Sequence, residues 1–136
     1  MKNHTTTLYT LHTRMSELID ADYNLLLLFP RFGMELGVGD RSVAEHCNLY
    51  GTSPQLFVMM RNIYTHADYR PTDTELQQLD IPQLLGYLSR SHAYYANSRI
   101  KLIEEQLCAI SQHHSPAHSA VLQRFFAEYK QEVIHH

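Results

Sequence analysis

Ile81-Pro82-Gln83-Leu84-Leu85-Gly86-Tyr87-Leu88-Ser89-Arg90-Ser91-His92 opens the stretch whose reading decides the fold. Asp80 stands ready to cap it, and from Ile81 to about Gln112 only Gly86 interrupts a helical pattern. Apolar or histidine residues recur at Ile81, Leu84, Leu85, Leu88, His92, Tyr95, Leu102, Ala109 and His113, close to heptad spacing. His113-His114-Ser115-Pro116 breaks the pattern. A second helix is predicted from Pro116 onward, with Val121, Leu122, Phe125, Phe126, Tyr129 and Val133 as its inner face. No stretch alternates like a strand. The expected class is all-α, with a long antiparallel helical hairpin that amounts to half of a four-helix bundle.

Toward the N-terminus the signals are shorter. Arg14–Asp20 has room for two helical turns. Asp22 can cap a helix ending at Gly33, with Pro30 distorting its last turn. Ser42-Val43-Ala44-Glu45 reads as a capping box for a helix that Gly51 closes, and Ser53-Pro54 starts the next, whose apolar face is Leu56, Phe57, Met59, Met60 and Ile63. Residues 1–64 therefore read as a small N-terminal helical cluster. Residues 65–79, with Pro71, threonines and acids, read as a linker, and 80–136 as the hairpin.

Composition narrows the function classes. The 136 residues are 44% hydrophobic and 18% charged, as in a globular chain that buries a core. The longest apolar run, Leu25–Phe29, is far below the ~18 residues of a membrane span. No leader pattern precedes it, so a cytoplasmic protein without a membrane partner is expected. Six basic residues stand against seven acidic in 1–70, and five against seven in 71–136. Neither half has the basic excess that nucleic-acid binding draws on. The helices near 42–50 and 54–64 are spaced like a helix-turn-helix, but the second carries only Arg61 among apolar residues, so no nucleic-acid partner is expected. Two cysteines, Cys47 and Cys108, make neither a disulfide framework nor a zinc site.

Ten histidines stand out against roughly three on average usage. With the turn centred near His114, His92 and His136 are each 22 residues away, level across the hairpin and on its apolar stripes. Facing imidazoles inside a bundle are how di-metal sites are assembled there. Most histidines are not ligands, and a core histidine beside a frayed terminal one is the plainer reading of each alone. His113 shares the stripe but lies about 31 Å along a straight helix from His92, so its expected place is the negative helix end. Glu132, four before His136, is an outer-shell candidate, with an ordinary solvated glutamate as the competing reading. Tyr95, three after His92, lines the same pocket or simply packs. His4, His12, His46 and His66 lack periodic partners and read as surface residues, His114, His118 and His135 as solvated. Glu104 and Glu105 belong to the solvated side.

Ser91-His92-Ala93-Tyr94-Tyr95 with Arg99-Ile100, the leucine-rich helix end and His113, and Phe125-Phe126-Ala127-Glu128-Tyr129-Lys130-Gln131-Glu132-Val133-Ile134-His135-His136, resemble the first two helices of hemerythrin-like domains, in which the position matching His113 is also a histidine. More narrowly they resemble the di-iron proteins of iron–sulfur cluster repair. Glu17-Leu18-Ile19, Phe32-Gly33-Met34-Glu35-Leu36 and Ser42-Val43-Ala44-Glu45-His46-Cys47 are similar to the small domain that precedes the bundle in those proteins. The resemblance implies His92 and His136 as iron ligands, and oxygen, nitric oxide or peroxide as the small ligand. It also implies an iron–sulfur protein as client and a stress or repair role rather than turnover as an enzyme. Where that family carries a Cys-Cys-Gly-Gly turn, this chain has Gly37-Val38-Gly39.

The bridging glutamate and the third and fourth helices that the resemblance implies are not in this sequence, so the di-iron site is expected to be incomplete here. The sequence is then either a piece of a longer protein or one of two chains that complete each other's bundle. An inner face holding Leu84, Leu88, Phe125 and Phe126 is too apolar to leave in water, so a homo-oligomer, or packing of the hairpin on residues 1–64, is expected. A non-catalytic regulatory or protein-interaction module, acting through the N-terminal helices, is the alternative.

Overall fold

Side-chain caps at Ser42, Ser53, Thr72 and Ser115 start four of the described helices. In the computed structural model, which describes residues 9–136, helices α1 (Met15–Ala21), α2 (Phe29–Phe32), α3 (Val43–Leu49), α4 (Pro54–Thr65), α5 (Asp73–Gln77), α6 (Ile81–Tyr94), α7 (Ile100–Ser111) and α8 (Pro116–His135) follow one another. The described residues contain no strand, only an isolated bridge between Arg14 and Ser42, and the chain is all-α as its sequence implies. His4 lies outside the described residues. No described helix is long and apolar enough to cross a membrane.

The caps are those the sequence announces. Ser42 accepts from the Glu45 amide while Glu45 reaches back to the Ser42 amide, and Ser53 with Pro54 starts α4. Gly33 takes φ 68° to end α2, a conformation that favours glycine. The single helix expected between Asp22 and Phe32 is instead a 3₁₀ segment, Tyr23–Leu27, capped by Asp22, followed by the one turn of α2. Residues 65–79 also differ from a plain linker. Thr72 and Glu75 form a second reciprocal cap and start α5, and the Tyr69 hydroxyl donates to Glu75 at 2.9 Å.

Chain contacts divide the molecule into two compact units, one ending at Arg90 and the other spanning Ser91–His136. The division falls inside α6, and the second unit starts eleven residues past position 80, the start expected for the hairpin. In the first unit Met15, Leu18, Phe29, Val43, Cys47, Leu56 and Phe57 form the core, joined from α6 by Tyr87. Tyr87 lies against Phe32 with ring centroids 4.6 Å apart. Thus the buried side of α6 is not the stripe read from sequence: Leu84 is half-buried, while Ile81, Leu85 and Leu88 are exposed. On α4, Ile63 is exposed and Arg61 is buried, its guanidinium 3.8 Å from the centroid of the Tyr9 ring.

His46 requires a correction. Expected at the surface, it is fully buried on the inner side of α3 beside Val43 and Cys47. Its ring lies 5.6 Å from that of Phe29, and Nδ1 accepts from Arg41 at 3.4 Å. Burial, and then the nearby Arg41 charge, hold its pKa below the ordinary 6.5, with the Glu35 backbone opposing.

The second unit is a helical hairpin. Bonds from Ser119 to the Ser111 carbonyl, from Lys130 to Glu104, between Tyr95 and Tyr129, and from His92 to Val133 tie α8 to the preceding helix in antiparallel sense. Glu104, expected to be solvated, pairs with Lys130 at 2.9 Å. A π-helical segment, Tyr95–Arg99, interrupts the long helix expected over 81–112. One inserted residue turns everything beyond it by about 100°. The heptad stripe therefore fails to carry through: Ile100 is buried and Leu102 is exposed. Phe126 is buried in the hairpin, whereas its neighbour Phe125 is 67% exposed.

Candidate functional site

The sequence-predicted residues gather at the end of the hairpin remote from its turn. His92 lies near the end of α6, just before the π segment, and its Nε2 is 2.8 Å from the carbonyl oxygen of Val133 in the last turn of α8. A carbonyl only accepts, so Nε2 carries the proton and Nδ1 is the nitrogen left for other partners. One turn further on, the Tyr95 and Tyr129 hydroxyls meet at 2.9 Å. This bond holds the Tyr129 phenol above its ordinary pKa, with burial adding to the effect.

His136 and Glu132 occupy the same last turn of α8 and are both exposed, with the His136 amide donating to the Glu132 carbonyl at 3.0 Å. His135 turns to Gln131, 3.1 Å away. His113 follows the end of α7, its amide bonded to Ile110, and with His114 and His118 it is exposed at the turn end of the hairpin. The hairpin thus brings His92 to the turn of α8 that carries His136, and leaves His113 at the other end.

These donors do not fit a di-iron cage within one chain. Among the described residues no three His, Cys, Asp or Glu side chains converge on a common point. The nitrogen of His92 that faces α8 is spent on a carbonyl, and Tyr95 and Tyr129 satisfy each other. A two-iron centre requires bridging carboxylates, and Glu104, whose side chain reaches α8, is paired with Lys130 and lies about 18 Å along the helix from His92.

Sequence reasoning missed two features here. The π segment has no marker in its residue types Tyr95-Ala96-Asn97-Ser98-Arg99. The Tyr95–Tyr129 pair was within reach, since both tyrosines lie toward the inner seam; what was lacking was the register that brings their hydroxyls together. Of the two thiols, Cys108 is exposed and Cys47 is buried, its pKa pushed up to about 12 by burial. No family model, no curated protein and no solved structure matches the chain.

Proposed function

We propose that the chain is a hemerythrin-like iron protein module of the cytoplasm, acting in iron–sulfur cluster repair or in the response to nitric oxide, oxygen or peroxide. The observation that carries this reading is the bond from His92 to Val133, which sets His92 against the turn of α8 that holds His136. In this reading His92 and His136 are two of the iron donors, Glu132 and Tyr95 lie outside them, and further protein donors complete the coordination. Imidazole and carboxylate donors in a helical bundle suit iron, and iron with open positions accepts a small diatomic. An iron–sulfur protein is the client this role calls for.

The test is anaerobic titration of the chain with ferrous iron against a competing chelator. Weak binding is expected, lowered by about 10–100-fold in His92→Ala and in His136→Ala and unchanged in His113→Ala. Binding that ignores His92 and His136, or no binding at all, would overturn the reading. A protein-interaction role for the N-terminal unit is the second reading. It is favoured by that unit having its own buried core and yet presenting Leu36, Leu49 and Tyr64 to solvent.

A further inference from the structure

The two flanks of the hairpin differ in chemistry. One is a groove lined by Glu104 and Cys108 of α7 and by Gln123, Ala127, Lys130 and Gln131 of α8, with Phe126 at its floor. At 100° per residue, the opposite flank falls on Ile103 and Ile110 of α7 and on Val121, Leu122, Phe125 and Tyr129 of α8. None of these six carries a formal charge; on the same side of α8, His118 and Glu132, seven residues either side of Phe125, mark the ends of the strip, and Glu128 lies at its edge. All but Ile103, which is half-buried, are exposed, Val121 to 69% and Phe125 to 67%.

We propose that this flank is the face on which two copies of the chain pair, hairpin against hairpin, to form a four-helix bundle. Area is the first argument. Taking full aromatic side chains at 150–250 Å² and aliphatic ones somewhat smaller, the exposed fractions come to roughly 500 Å² per copy. Two copies would together bury about 1,000 Å² from these side chains alone, the size at which specific interfaces begin. The second argument is chemical. A strip two helices wide with an apolar centre, and with its ionisable residues at its ends and edge, is matched by an identical strip, since antiparallel pairing sets apolar centre on apolar centre and leaves those residues at the rim. A two-fold axis then makes every contact reciprocal: Phe125 of one copy meets the strip of the other, and the reverse. The inference does not rest on the iron reading, because none of the six apolar side chains is among the proposed iron donors.

Sedimentation of the chelator-treated, metal-free protein over a 100-fold concentration range tests it. The wild type is expected to have twice the 15.8 kDa chain mass, with Phe125→Glu and Ile110→Glu each weakening association at least 100-fold. Gln123→Glu, on the polar groove, should leave association unchanged. Circular dichroism confirms that each variant is still helical, and Ile110→Glu decides the matter if Phe125→Glu unfolds. A wild type that stays at the single-chain mass overturns the proposal, as does a dimer indifferent to both flank variants. Because no metal is present, neither outcome bears on iron binding.

Discussion

The His92 imidazole donates from Nε2 to the Val133 carbonyl at 2.8 Å, linking positions 41 residues apart across the hairpin. The bond gives His92 a structural role that exists with or without metal, and the two roles make separable demands. Tethering needs only a donor at that height, whereas ligation needs an imidazole nitrogen.

His92→Gln is therefore expected to keep most of the hairpin's stability while losing iron affinity. His92→Ala should lose both. For an exposed neutral hydrogen bond the stability loss in His92→Ala is about 0.5–1 kcal/mol. Urea unfolding alongside iron titration of the two variants checks this, and equal iron affinity in wild type and His92→Gln would leave His92 as a tether alone.

The thiols give a cleaner readout of burial. Cys108 is exposed and Cys47 is sealed in the core, its thiol raised to about 12 by burial and so protonated at neutral pH. A chromogenic disulfide reagent should titrate one thiol per native chain promptly and the second only on unfolding. Cys108→Ser should abolish the prompt phase. A prompt phase that survives in that variant would mean that the core around Cys47 opens readily.

What was legible in the sequence was what depends on a few neighbouring residues. Ser42 with Glu45, Ser53 with Pro54, and Gly33 at φ 68° act locally, and each stands where the residue types place it. The Thr72–Glu75 cap carries the same signature as Ser42–Glu45, but is hidden in a stretch whose proline and threonines suggest a linker. His46 could have been found from spacing, because Val43, His46 and Cys47 fall at i, i+3 and i+4 on the buried face of α3. The π segment depends on what packs around Tyr95–Arg99, and it rotates every position beyond it, so a stripe drawn straight from Ile81 to His113 crosses from one face to another. For the same reason the level placement of His92 was readable to within a turn, while its bonding to a carbonyl was not.

On α6 the structure reverses the ranking that the stripe would give. Tyr87 is 3% exposed and packs on Phe32, whereas Leu88 is 51% exposed. Tyr87→Ala should destabilise the N-terminal unit by about 3–5 kcal/mol, as removal of a buried aromatic does. Leu88→Ala should stay within about 0.5 kcal/mol in a single chain. Thermal unfolding of both variants decides the order, and a larger loss for Leu88→Ala would restore the stripe as the buried face.

Acid sensitivity should trace to His46. Its pKa in the folded protein is lowered from 6.5, by burial first and by Arg41 second. The unfolded chain therefore takes up the proton before the folded one does as pH falls. Stability from this residue is complete above 6.5, declines as pH drops through the interval down to the folded-state value, and levels off below it. Glu45 and Glu75 are also held below their ordinary 4.5, by hydrogen bonds from Ser42 and Thr72, so their contributions are lost in a more acidic window. The two windows can be separated by urea midpoints measured at intervals from about pH 7.5 to 3. His46→Gln, which cannot titrate, should flatten the upper part of the curve and leave the acidic part in place. Parallel curves for wild type and variant above about pH 5 would show that the buried imidazole is not the source of the upper decline. The exposed histidines then become the groups to replace next.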